Sequence, residues 1–135
     1  MEIIVLVGIP GSGKSTFVQK FFPNYRRINL DTLHSRKRED EEIAKSLIDG
    51  QGIIIDNTNS TKKSRAKYIN AAKASGIPIR AIYLKCPVDV ALKRNASREG
   101  RGKVPVSALR FYNKLLQPPS VEEGFDRVEE IDASI

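Results

Sequence analysis

The chain has 135 residues, enough for one compact domain and short for an added catalytic module. Lys and Arg number 23 against 16 Asp and Glu, a formal charge of +7 that favours polyanionic partners, while 40% hydrophobic residues is an ordinary globular share that excludes wholesale disorder. No apolar run approaches the roughly 20 residues of a membrane-spanning helix, the opening residues carry no secretory pattern, and a single cysteine, Cys86, permits no internal disulfide, so a reducing, cytoplasmic setting without a membrane partner is expected.

The segment EIIVLV (2–7) predicts a buried strand, followed by a helix over 14–22 that Pro23 stops. RRINL (26–30) predicts a second strand beside the first, with Asp31 at its carboxyl end. The polar stretch HSRKREDEEIAKSLIDG carries Ile43, Leu47 and Ile48 at helical spacing and ends at Gly50. GIIID (52–56) predicts a third strand. TKKSRAKYINAAKASG predicts a helix opened by Ser60 or Thr61, closed by Gly76 and burying Ala66, Ile69 and Ala72. A fourth strand over 78–86, a helix over 88–98, a glycine-rich charged loop at 99–103, a helix over 106–116 and a last strand over 126–131 complete the chain. This alternation predicts an α/β fold: a three-layer sandwich with a mostly parallel five-stranded sheet and helices on both faces, as a single domain over 1–135. Ligands of such sheets collect at the carboxyl ends of the strands.

The stretch GIPGSGKST follows the first strand and fits the spacing G-x-x-x-x-G-K-[ST] with Gly8, Gly13, Lys14 and Ser15. Gly8, Gly11 and Gly13 let the backbone turn its N–H groups onto phosphate oxygens, and the helix that follows aims its positive end at the same anion. Lys14 suits the β- and γ-phosphates, the Ser15 hydroxyl suits Mg²⁺, and Thr16 lies nearer the α-phosphate. Pro10 and Ser12 complete the loop. Strand, full motif and helix occur in the required order, so ATP or another nucleoside triphosphate is the expected ligand.

Three further features bear on chemistry. In IIIDNTN, Asp56 ends an apolar third strand where a carboxylate helps to hold Mg²⁺, either through a metal-bound water or on Ser15; that position favours the metal role over the alternative of a turn or cap residue among Asn57, Thr58 and Asn59. Asp31 reads either as a general base for an acceptor hydroxyl or as the N-cap of the next helix. KRNASREGRGKVP carries Lys93, Arg94, Arg98, Arg101 and Lys103, with Arg94 and Arg98 spaced to share a helix face, and Gly100 and Gly102 as hinges. That segment reads as a lid over about 94–104, or as a solvated basic helix end.

Together, GIPGSGKST, NLDTL, IDNTN with SRAKYINAAKASGIP, KRNASREG…VP and PPSVEEGF resemble the kinase domain of the polynucleotide 5′-hydroxyl kinase family, P-loop proteins that phosphorylate 5′-hydroxyl ends of nucleic acids. The likeness runs over nearly the whole chain. It implies a P-loop kinase-like fold, with ATP and Mg²⁺ as cofactors and a nucleic acid with a 5′-hydroxyl end as partner. It implies Asp31 as base, Lys14 and Arg98 as catalytic cations, Ser15 and Asp56 toward the metal, and Arg94 near the nucleotide. Asp31, His34, Asp56, Asn57 and Thr58 then belong to the acceptor side, and SVEEGF borders the adenine. Leu30 stands where the family commonly has arginine. His34 stands near a position that in some members is an arginine touching the acceptor phosphate, and either Arg36 or Arg38 is a candidate to take that role instead. A small-molecule or nucleotide kinase, and a non-catalytic ATP-dependent nucleic-acid-binding module, are the other readings.

The helix after Asn59 carries Lys62, Lys63, Arg65, Lys67 and Lys73 with no acid, either a nucleic-acid contact or a solvated face. Tyr68, Phe111 and Tyr112 read as base-stacking residues or as core and rim.

Overall fold

A computed structural model describes residues 1–100 and 103–134. The elements are β1 (Ile3–Val7), α1 (Lys14–Phe21), β2 (Arg26–Ile28), α2 (Leu30–Leu33), α3 (Arg36–Asp49), β3 (Ile53–Ile55), α4 (Lys62–Ser75), β4 (Ile79–Lys85), α5 (Val88–Ala96), α6 (Val106–Leu115), a 3₁₀ turn (Val121–Glu123) and β5 (Arg127–Asp132). The five strands form one sheet in the order β2-β3-β1-β4-β5, and each pairing is parallel. β3 therefore lies beside β1, and β2 is one strand further out, not next to β1 as the sequence predicts.

Both faces of the sheet are covered, which is why IIVLV and III read as unbroken apolar runs. Ile3, Val5, Val7, Ile53 and Ile55 point to one face and pack with Ile43 of α3 and Tyr68, Ile69 and Ala72 of α4. Ile4, Leu6, Ile54, Ile82 and Leu84 point to the other, against Val18 of α1 with Phe17, Phe22 and Tyr25. A smaller cluster joins Ile9, Cys86, Ala91 and Leu109, so α5 and α6 pack directly behind the glycine-rich loop. Each fully buried isoleucine contributes roughly 1.5–3 kcal/mol by removal from water.

Several element ends differ from expectation. The second strand stops at Ile28, because Asn29 turns to cap α2 by accepting from Thr32 N–H; Asp31 thus sits in the first turn of α2 and is not itself the cap. Thr61, in a reciprocal capping box with Ser64, opens α4. Ala66 is exposed and Arg65 is fully buried instead. Helix α5 ends at Ala96, so Arg98 lies past its end and shares no helical face with Arg94.

No helix among the described residues is long and apolar enough to cross a membrane.

Candidate functional site

The carboxyl ends of β1, β2 and β3 converge on one cleft of about 500 Å³. The loop after β1 supplies Pro10, Gly11, Gly13, Lys14 and Ser15 to its lining. Gly11 has φ 87°, and a side chain there would meet the Ala91 carbonyl oxygen at 2.7 Å, so α5 fixes both its backbone angle and its size. Gly13 has φ 89° and open space where a side chain would point, which leaves the cradle clear for a ligand. Gly13 is also the N-cap of α1; it offers no side-chain cap, and the first turn of α1 has no acidic residue. The free N–H groups and the helix dipole there suit an anion.

Lys14 Nζ donates to its own loop carbonyls, Gly8 O at 2.9 Å and Ile9 O at 3.0 Å. Burial pushes the ammonium down to about 8; Asp56 and Asp31 pull it up, and Arg98 adds to the drop. Phosphate oxygens would relieve that strain on the charge.

Ser15 Oγ donates to Asp56 Oδ2 at 3.3 Å, so these residues of α1 and the end of β3 do meet. Asp56 is buried. A third group shares the pair: Arg27 of β2 donates from Nε to Asp56 Oδ2 at 2.6 Å and from Nη2 to Ser15 Oγ at 3.0 Å. Nothing in the local sequence marks Arg27, whose partner lies 29 positions away. A serine hydroxyl and a carboxylate are hard oxygen donors that fit Mg²⁺ alongside phosphate oxygens. Among the described residues no group of three or more His, Cys, Asp or Glu is placed to hold a metal ion, so phosphate or water must complete that shell.

Asp31 lines the same cleft, and its carboxylate has no hydrogen-bond partner among the described residues. Asn57, Thr58, Arg36 and Arg98 line it too, with Val104, Tyr112 and Leu115 as an apolar stretch of wall. His34 is exposed, holds φ 64° as the C-cap of α2, and is not part of the lining. Asn59 explains the rest of the DNTN stretch: buried, with φ 47°, it donates from Nδ2 to Leu6 O at 2.7 Å, while Thr58 O accepts from Gly8 N–H at 3.2 Å. These bonds tie the loop after β3 to the base of the phosphate loop.

A second groove, about 720 Å³, lies on the other side of the loop and is lined by Ser12, Thr16, Arg94, Arg98, Asp132 and Ala133 among others. Gly13 and Arg98 line both cavities. Ser12 Oγ is buried without a hydrogen-bond partner among the described residues. Arg94 Nη1 donates to Gly11 O at 3.4 Å, which ties α5 to the loop. The segment that carries Arg98 is closed at its base by Asn95, whose Nδ2 donates to Val104 O at 2.7 Å and whose Oδ1 accepts from Val104 N–H at 2.9 Å. Arg101 and Gly102 of the sequence-predicted lid lie outside the described residues.

The SVEEGF tail is not at either cavity. Glu123 pairs in bidentate fashion with Arg65 Nε and Nη2, both at 2.9 Å, and Phe125 enters the core on the α4 face. The tail braces α4; Asp132 and Ala133, further on, border the second groove.

Comparison with known proteins gives the family and the fold of the chain. A family model described as "AAA domain" matches residues 3–49 and 41–119. The bifunctional polynucleotide phosphatase/kinase of Schizosaccharomyces pombe is 36% identical over 96% of this chain and 33% of its own length. The putative bifunctional polynucleotide phosphatase/kinase of Acanthamoeba polyphaga mimivirus is 37% identical over the same shares, 96% and 33%. The chain thus spans about a third of the length of these curated relatives. Among solved structures, Chaetomium thermophilum Kti12 in complex with ADP-AlF3 superposes with a TM-score of 0.71 over 96% of this chain and 88% of that one, at 18% identity, a likeness of fold.

Proposed function

The chain belongs to the AAA domain family, and from that premise we propose that it transfers the γ-phosphate of ATP to the 5′-hydroxyl end of a polynucleotide. The observation that carries this reading is the meeting of two cavities at Gly13 and Arg98. The groove with Ser12, Thr16 and Arg94 suits the base and sugar of a donor nucleotide. The cleft with Asp31 suits the acceptor.

In this reading the loop N–H groups and Lys14 take the donor phosphates, and Ser15 with Asp56 holds Mg²⁺. When bound, that ion neutralises phosphate charge and orients the transferred group. Asp31 accepts the proton of the acceptor hydroxyl as that oxygen bonds to the γ-phosphorus and the bond to the ADP oxygen breaks. Lys14 and Arg98 counter the negative charge that shifts onto the transferred group and the departing diphosphate. A nucleic-acid end presents a base, a hydroxyl and a nearby phosphate. Val104, Tyr112 and Leu115 match the first, Asp31 the second and Arg36 the third, all on one cleft wall system. Arg36 takes the place that His34, outside the lining, leaves open.

The test is incubation with γ-labelled ATP and matched RNA and DNA oligonucleotides bearing 5′-hydroxyl ends. Label at the 5′ end is expected. Transfer to a mononucleoside or metabolite with no gain from a longer chain would make this a small-molecule kinase. No transfer under conditions where ATP binds would sink the kinase reading.

A further inference from the structure

Glu39 lies in the charged stretch RKREDEE of α3, yet it is fully buried. Four side chains donate to its carboxylate. Arg36 Nη1 reaches Oε1 at 3.1 Å, Lys67 Nζ reaches Oε1 at 2.8 Å, Tyr68 OH reaches Oε1 at 3.0 Å, and Asn57 Nδ2 reaches Oε2 at 3.3 Å. Burial, and then the Glu39 charge, push the Tyr68 phenol up to about 12, so it remains a donor.

Two of these donors, Lys67 and Tyr68, join α3 to α4, which is all that a structural staple requires. The other two line the cleft. Asn57 passes the contact on: its Oδ1 accepts from Leu30 N–H at 3.0 Å, one residue before Asp31. Asn29, on the other side of Leu30, donates from Nδ2 to Asp56 O. The helix that carries Asp31 has four residues, too short to hold itself by its own hydrogen bonds. Its far end is held by Leu33, packed against the core, and its start, where Asp31 sits, by Asn29 and Asn57. Among the described residues Arg36 makes its hydrogen bonds through Nη1, to Glu39 and to Tyr68 OH at 3.1 Å, which leaves Nε and Nη2 of the fork for a ligand.

We propose that Glu39 is a positioning residue for the acceptor: through Asn57 it sets the backbone that carries Asp31, and through Arg36 it sets the cation on the same cleft. This inference rests on the kinase reading above. Among the described residues no hydrogen bond of Glu39 goes to a phosphate-loop residue, so its effect is expected to fall on the acceptor side first. Displacing a reacting group by about 1 Å costs on the order of a hundredfold in rate.

The experiment compares wild type, Glu39→Gln and Asn57→Ala. Steady-state kinetics with a 5′-hydroxyl oligonucleotide at saturating ATP give kcat and acceptor KM, and fluorescent-nucleotide titration gives donor affinity. The expected result for Glu39→Gln is a loss of about ten- to a hundredfold in kcat/KM for the acceptor, with donor affinity within about twofold. If Glu39→Gln does not fold, Asn57→Ala decides by the same split. Equal loss of donor and acceptor parameters, or no loss in either, overturns the inference. A wild type that phosphorylates a nucleoside or metabolite but no oligonucleotide overturns the nucleic-acid reading alone, and the split is then read on that acceptor. A wild type that transfers to no acceptor overturns both.

Discussion

Arg27 holds Asp56 and Ser15 together, with Nε 2.6 Å from the buried carboxylate and Nη2 3.0 Å from the hydroxyl. A guanidinium thus lies on the oxygen pair best suited to a divalent cation. Removing it leaves the buried Asp56 carboxylate with Ser15 as its remaining hydrogen-bond partner among the described residues. Because the Arg27 side chain is 36% exposed, the loss falls between a surface and a buried pair, about 1–3 kcal/mol. Arg27→Gln is expected to melt lower in EDTA and to regain much of the difference in millimolar Mg²⁺, whereas wild type changes little between the two. Thermal melts under both conditions decide it. An equal deficit in EDTA and in Mg²⁺ would show that the cation does not replace Arg27 on Asp56.

Asp31 shares the cleft with Lys14 and carries no structural hydrogen bond among the described residues. Its removal should therefore leave the fold alone. Asp31→Asn is expected to keep its melting temperature and nucleotide affinity and to lose turnover on the order of a hundredfold or more. Unchanged turnover would favour a binding module over a kinase.

The Lys14 ammonium, held down near 8 by burial, makes donor binding pH-dependent in a defined direction. Phosphate binds the protonated form, so binding raises the lysine's proton affinity and takes up a proton above pH 8. ATP affinity should fall as pH rises through that value, approaching about tenfold per unit well above it. Titration calorimetry in buffers of different ionisation enthalpy should show proton uptake at pH 8.5 and almost none at pH 6.5. The free protein responds the other way: the cost of burying the charge is full below pH 8 and fades toward the ordinary lysine value of 10.5. A flat affinity profile would mean that the ammonium is not the group that meets the phosphate.

How much of this was readable in advance depends on whether the information is local. The phosphate loop is contiguous, so Gly11, Gly13, Lys14 and Ser15 could be placed from GIPGSGKST alone. The apolar runs IIVLV and III gave the parallel sheet, since burial on both faces removes the alternation of a half-exposed strand. Arg27 and Glu39 were invisible for the opposite reason. A charged residue in a charged stretch becomes buried only through partners from other elements, Asp56 for one, Asn57, Lys67 and Tyr68 for the other. Arg65 misled in the same way, because helical spacing does not tell a solvated arginine from one whose carboxylate arrives on a distant tail. The strand end at Ile28 was missed because Asn29 serves as a cap, and asparagine marks turns and caps alike.

Arg65 and Glu123 form a buried pair, with the arginine fully enclosed and also donating to Asn59 O at 2.8 Å and Gln117 O at 2.9 Å. Arg65→Met is expected to cost about 3–5 kcal/mol, because it strands a buried carboxylate and two carbonyls. The exposed Lys85–Glu130 pair, at 3.4 Å, is the control: Lys85→Met should change stability by about 0–1 kcal/mol. Urea unfolding of the two variants measures the contrast.

Positive charge available to a nucleic acid is smaller than the count of basic residues on α4. Arg65 is buried, and Lys67 is committed to Glu39 at 2.8 Å and Asp40 at 2.8 Å. Lys62 and Lys63 are exposed between Thr61 and Ser64, which line the cleft; Lys37 and Arg38 are exposed beside Arg36, which also lines it. A single strand that enters the cleft meets these cations from two helix starts. Each phosphate neutralised contributes about −0.7 to the slope of log affinity against log salt. Three or four contacts predict a slope of about −2 to −3 for a 5′-hydroxyl oligonucleotide. Lys62→Ala with Lys63→Ala should weaken binding across sequences and flatten the slope by about 1.4 units, while Lys67→Ala should leave the slope nearly unchanged. Fluorescence anisotropy from 50 to 300 mM salt, roughly the range over which such contacts are lost, measures all three. A flat response in wild type would place the acceptor away from these helix starts.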